Sequence, residues 1–251
     1  MFIPVGGGTT TRLGEWKVEN MDADQDCIQF LKAEDATKDV AYTFVSKQFI
    51  IDNFEPETQE ELDEYMDLYA GWWQYGKWDS EDRETYGADN KAIPVGKGFL
   101  TLNMSGNDVV FQYAGEAPTE QTFVSISGLN PMLCNYIPRD IILDEMTVEN
   151  IDADQDCFQK LKTDDATKDE SYTYVSRQFI IDNFEPETQE ELDEYVALYG
   201  GWWQYGKWDS EDRDTYGRGT RPFNAGASFL GLMMSGNTMK VWFPSSIPAA
   251  E

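Results

Sequence analysis

The sequence predicts a mainly β protein made of two tandem homologous domains, each sandwich- or barrel-like with one short amphipathic helix. Three observations carry this. First, residues 18–87 realign on 148–217 at a constant offset of 130 without a gap, with 57 of 70 positions identical, the self-similarity of a repeated structural unit. Second, most segments within a repeat are short, rich in β-branched and aromatic residues, and bounded by Gly, Asn or Pro, as strands are. Third, one segment alone carries a helical stripe. The boundary falls near 119–122, which gives domains 1–120 and 121–251 joined by a short linker.

In chain order, the expected strands of the first repeat are 2–5, 28–31, 42–46, 48–51, 72–78, 98–103 and 109–113, with counterparts in the second. The helix starts at Thr58-Gln-Glu-Glu61, which has the form of a capping box, and runs through Leu62, Tyr65, Met66 and Tyr69 until Gly71 stops it. Leu192, Tyr195, Val196 and Tyr199 repeat the stripe. At the front the register changes. Phe2-Ile-Pro-Val-Gly6 aligns with Phe123-Val-Ser-Ile-Ser127 at an offset of 121, so the second repeat carries about nine extra residues near 129–142.

Charge narrows the partners. The 251 residues hold 47 acidic against 19 basic side chains, a net charge of −28, which argues against nucleic acid, since neutralising phosphates takes Lys and Arg. No run approaches the length of a membrane span, and no charged and apolar leader opens the chain. There is no His, which removes Ser-His-Asp, Cys-His and His-ligated zinc chemistry. Cys27 and Cys157 are repeat equivalents and Cys134 has no counterpart. Free buried thiols are the expectation, with a Cys134–Cys157 bridge the alternative.

Two constellations stand out as candidate sites. Asp22, Asp24 and Asp26 alternate, as do Asp152, Asp154 and Asp156. Hard cations want several oxygens at such close spacing, and calcium is the cofactor this loop would take. It is not an EF-hand, because Cys27 or Cys157 stands where Gly is required and Ala33 or Thr163 where Glu is. A solvated acidic turn is the alternative reading. The second constellation is Gly71-Trp-Trp-Gln-Tyr-Gly-Lys-Trp78, which returns unchanged at 201–208. As one strand it would put Trp72 and Trp78 on one face and Trp73 on the other. One face would fill the core. The other would cover a second layer such as the helix, or form a sugar-stacking surface from Trp72, Trp73, Trp78, Trp202, Trp203 and Trp208.

Catalysis is not expected. Carboxylate pairs such as Asp79 with Glu81 or Glu55 with Glu57 arise by chance among so many acids, and Gly6-Gly-Gly8 lacks the Lys and helix of a phosphate loop. The run Trp72 … Ile93-Pro-Val-Gly-Lys-Gly-Phe99 … Ser105-Gly … Val109-Val-Phe … Gly115-Glu resembles a poorly characterised β-rich domain of secreted and surface proteins of bacteria. It covers most of the first repeat, whereas the second departs at Asn224-Ala-Gly-Ala-Ser-Phe229. The resemblance implies an extracellular setting and a non-catalytic role. Two copies of one surface suit either a self-assembling surface or filament subunit or a bivalent carbohydrate-binding module. The expected partners are therefore further copies of the chain, or a glycan.

Overall fold

The computed structural model describes residues 11–31, 40–94, 96–112, 117–128, 131–161 and 170–246. They fall into two compact units, one built from residues within 11–94 and 99–112, the other from 96–98 and the residues from 117 onward. The architecture is mainly β, in several small antiparallel sheets. The expected strand at 2–5, the glycines at 6–8 and the Gly115-Glu pair lie outside the described residues.

In the first unit β1 (Thr11–Arg12) and β2 (Lys17–Glu19) precede β3 (Cys27–Phe30) and β4 (Val40–Val45). Two helices follow, α1 (Lys47–Phe54) and α2 (Gln59–Tyr69), then β5 (Gly71–Gln74), the single-turn α3 (Arg83–Tyr86), β6 (Ala92–Ile93), β7 (Leu100–Leu102) and β8 (Val110–Gln112). The main sheet runs β5-β4-β3-β7, while β1 pairs with β6 and β2 with β8.

Of the segments expected as strand, 48–51 is helical and 72–78 is strand only as far as Gln74. Residues 48–51 belong to α1, so among the described residues each repeat holds a helix pair and a single-turn helix where one helix was expected. The cause is local. Ser46 takes extended backbone and its Oγ accepts the Phe49 N–H at 3.0 Å, an N-cap that starts a helix in a run whose Phe-Ile-Ile composition alone suggests a strand. Helix α1 ends at Glu55 in the left-handed region, φ 47°. For α2, Thr58 Oγ1 accepts from the Glu61 N–H, and Glu61 reaches back to the Glu57 N–H, one residue earlier than a capping box requires. Likewise 72–78 is not one strand. The chain turns at Gly76, φ +70°, and Trp78 opens a 3-10 turn over Trp78–Ser80.

The helix pair packs on one face of the sheet. Phe49, Ile50, Leu62 and Tyr69 enclose Trp73 with Val45 and Ala23. Trp73 Nε1 donates to the Tyr69 carbonyl at 2.6 Å, so the indole is both apolar filling and a satisfied polar tip. On the other face Trp72 meets Trp16 edge-on at 6.2 Å and Phe44 at 5.5 Å. The corner from α2 into β5 depends on Gly71 at φ +117°, where a Cβ would lie 2.5 Å from Arg83 Nη2.

The second unit repeats this order with β9 (Thr122–Ile126), β10 (Met132–Cys134), β11 (Ile141–Ile142), β12 (Thr147–Glu149), β13 (Asp156–Lys160) and β14 (Glu170–Val175). Then come α4 (Arg177–Phe184), α5 (Gln189–Tyr199), β15 (Gly201–Gln204), α6 (Arg213–Tyr216), β16 (Pro222–Phe223), β17 (Ser228–Met233) and β18 (Met239–Phe243). Its sheets run β10-β17-β13-β14-β15, β12-β18-β9 and β11-β16. Strand β10 comes from the extra residues of this repeat, and residues 96–98 bond along it, with Gly98 N–H donating to Met132 O and Cys134 N–H to Gly96 O, each at 3.0 Å. The sequence boundary at 120 assigns those three residues to the first domain, whereas they pack with the second unit. All three cysteines are buried free thiols, so the Cys134–Cys157 bridge is not formed. No helix among the described residues is long and apolar enough to cross a membrane.

Candidate functional site

The alternating aspartates have three different jobs. Asp26 is 1% exposed and each of its oxygens takes two donors. Oδ1 accepts from the Met104 and Ser105 N–H groups at 2.9 and 3.0 Å; Oδ2 accepts from Ser105 Oγ at 2.7 Å and Asp22 N–H at 3.0 Å. Burial pushes its carboxyl up, but the Ser105 hydroxyl and the backbone donors outweigh burial and hold it below the ordinary aspartate value. Asp156 repeats the arrangement with Ser235 and Asp152. Asp22 closes its own turn, accepting from Asp24 N–H and Gln25 Nε2. Asp24 accepts from Trp78 Nε1 at 3.0 Å, and its carbonyl accepts from Tyr75 OH at 2.9 Å. Asp154 holds Trp208 and Tyr205 in the same way. Among the described residues no group of three or more acidic or thiol side chains converges to hold a metal ion.

The indoles divide. Trp72, Trp73 and Trp203 are sealed, and Trp202 is 1% exposed, which corrects their reading as a binding surface. An indole on either face of a short central segment is covered, by the helix pair on one side and by the aromatic core on the other. Trp78 and Trp208 are half-buried, each edge-on to the first helix through Phe49 or Phe179 at 5.3 Å.

What the acidic turn and that helix do form together is a polar depression, once in each unit. The first holds about 420 Å³ and is walled by Asn20, Met21 and Asp22, by Ser46, Gln48, Phe49, Asp52 and Asn53 of the α1 segment, and by Asn107 and Asp108. The second holds about 580 Å³ and is walled by the residues 130 positions later, joined by Asp154 and Gln155. Only two of the shared positions differ between them, Met21 against Ile151 and Asp108 against Thr238.

Local geometry sets the walls. Asn20 and Asn150 sit in the left-handed region and donate across the mouth to the carbonyls of Asp108 and Thr238. One helical turn brings Gln48 beside Asp52, with Nε2 to Oδ1 at 2.8 Å, and Gln178 beside Asp182 at the same distance. That bond leaves the glutamine amide oxygen and the second carboxylate oxygen for other donors. Among the described residues no Lys or Arg lines either depression. Such a wall accepts hydrogen bonds from hydroxyl or ammonium groups.

Of the residues singled out in the sequence, Asp22 and Asp152 line these depressions in both units, Asp154 in the second, and Trp78 and Trp208 back the helix behind the wall. Gln48, Asp52, Asn53 and Asn107 were missed. Gln48, Asp52 and Asn53 lie in the longest identical run of the repeat, Asn107 ends the short shared run Ser105-Gly-Asn107, and reading 48–51 as helix would have put Gln48 and Asp52 on one face. No family model matches the chain, and neither a curated protein nor a solved structure matches it.

Proposed function

We propose that the protein is a non-enzymatic, extracellular binding protein, a duplicated β module that offers one polar depression twice to a hydroxyl-rich ligand, a carbohydrate. The observation that carries this is the recurrence of the same lining, in the same order, at a constant offset of 130 residues. Packing alone does not demand identical exposed Gln, Asp and Asn side chains on a helix surface. Carboxylate and carboxamide oxygens are the acceptors that sugar hydroxyls use. Two equal sites on one chain raise avidity for a repetitive glycan surface without any new contact.

The test is a glycan array, followed by calorimetric titration of a retained oligosaccharide with and without calcium. Two equivalents per chain are expected, falling to one in Q48A/D52A and to none when Q178A and D182A are added. An array without hits, or a stoichiometry that ignores these exposed substitutions, overturns the reading.

Self-assembly is favoured by a different observation. Strand β7 ends its sheet, and among the described residues no strand lies on its outer side, while Leu102 is 44% and Met104 75% exposed. Strand addition by a second copy would cover that edge. Sedimentation across concentration should show growth that Leu102→Lys suppresses; monomers at every concentration overturn it.

A further inference from the structure

The two repeats differ in chemistry beside the start of β14 and the end of β15. There the second unit has a cavity of about 410 Å³ containing Arg218 and Arg221 together with Tyr172, Tyr205, Gln204 and Ser171. At the corresponding positions the first repeat has Ala88 and Lys91 in place of the arginines, and Ala41 in place of Ser171. In a chain with 47 acidic side chains against 19 basic ones, two guanidinium groups gathered in one concavity stand against the general charge.

The backbone fixes both arginines. The Arg221 N–H donates to the Arg218 carbonyl at 3.0 Å, and the Arg221 carbonyl accepts from Leu143 N–H at 3.1 Å. The Arg218 side chain is held further. Its Nη1 donates to the carbonyls of Thr215 and Gly217, at 2.8 and 2.9 Å, and its Nη2 to Gln204 Oε1. Arg221 is exposed, its guanidinium has no hydrogen-bond partner among the described residues, and it lines the cavity. Burial and the bond to Glu170 push the Tyr172 hydroxyl up, and the charges of Arg221 and Arg218 pull against that rise. One carboxylate, Glu170, shares the cavity and accepts from Tyr172 OH. A second, Asp144, packs on Gly219 in the turn between the arginines and does not line the cavity. The Tyr205 hydroxyl is committed to the Asp154 carbonyl, while the residue remains 36% exposed.

We propose that this cavity binds a small ligand through an oxyanion, a carboxylate, sulfate or phosphate group. Arg221 supplies the free fork and Arg218 the second positive charge. A planar guanidinium presents paired N–H groups to two oxygens at once, a geometry that lysine at the same position cannot offer. The site shares no lining residue with the paired depressions, and the first repeat lacks its two arginines, so it does not depend on the carbohydrate reading.

The test is calorimetric titration of the full chain with sodium phosphate, sodium sulfate and sodium glucuronate, each against chloride at matched ionic strength. One equivalent per chain is expected for at least one of the three, and which one separates an inorganic anion from a sugar carboxylate. Arg221→Gln should weaken that binding by about tenfold or more, and Arg221→Lys should weaken it as well, because charge without the fork is insufficient. Since Arg221 is exposed, circular dichroism should confirm that both variants keep the native fold. No binding of any of the three anions overturns the proposal, and so does undiminished binding in Arg221→Gln or in Arg221→Lys.

Discussion

Ser105 donates twice to Asp26, its hydroxyl to Oδ2 at 2.7 Å and its N–H to Oδ1 at 3.0 Å. This pair ties the acidic turn before β3 to the loop after β7, residues 79 positions apart, and Asp156 with Ser235 does the same in the second unit. A motif that looks like the opening of a cation loop therefore contains one carboxylate that is already saturated by the protein's own donors.

Replacing Asp26 with Ala strands the N–H groups of Asp22, Met104 and Ser105, and should cost on the order of 3 kcal/mol in urea denaturation. The wild-type pH dependence follows from the sign of the shift. The folded carboxyl lies below its unfolded value, so its contribution is fully present above about pH 4 and is lost as pH falls through the folded value. D26A should flatten that acid limb; a limb of unchanged steepness would show that other carboxylates dominate it.

Trp73 and Trp78 should separate in mutagenesis although they are five residues apart in one motif. Trp73→Ala empties a sealed site among Phe49, Ile50, Leu62 and Tyr69 and should cost about 3–5 kcal/mol. Trp78→Ala removes a half-buried ring and its bond to Asp24, and should cost about 1–2 kcal/mol while loosening the wall of the depression. Chemical denaturation of both variants checks the order, and equal losses would contradict the burial.

The thiols should be silent in the native protein. Burial pushes the Cys27 thiol up, and it pushes Cys157 up to about 11, with the neighbouring aspartate adding to both. Ellman's reagent at pH 8 should react slowly with the folded chain and with all three cysteines in denaturant. Because the folded thiols are held neutral, stability is complete below about pH 8.5, the unfolded value, and declines as pH rises from there toward the folded one. Rapid native labelling would show that these sites open.

The β-rich character and the α2 stripe were legible because both rest on periodicity within a few residues. The first helix was hidden, since Gln48-Phe-Ile-Ile51 has the composition of a strand and only the preceding Ser46 cap reveals its geometry. The paired depressions were half visible. Asp22 was found by its spacing, but Asn107 joins it only through the fold, and a Trp-rich motif drew attention to side chains that turned out to be sealed inside. Aromatic density marks buried area more often than contact surface.

The bonds from Gly96 and Gly98 to Cys134 and Met132 separate two meanings of half in this protein. What recurs along the chain is not what closes in space: the later unit takes in three residues of the earlier repeat. Cutting the chain at residue 120 would yield a second fragment carrying every residue of its own repeat and still lacking a border for β10, leaving the Cys134 N–H and the Met132 carbonyl bare and the adjoining edge open to whatever strand arrives first. Sequence repeat and folded unit part company at those glycines.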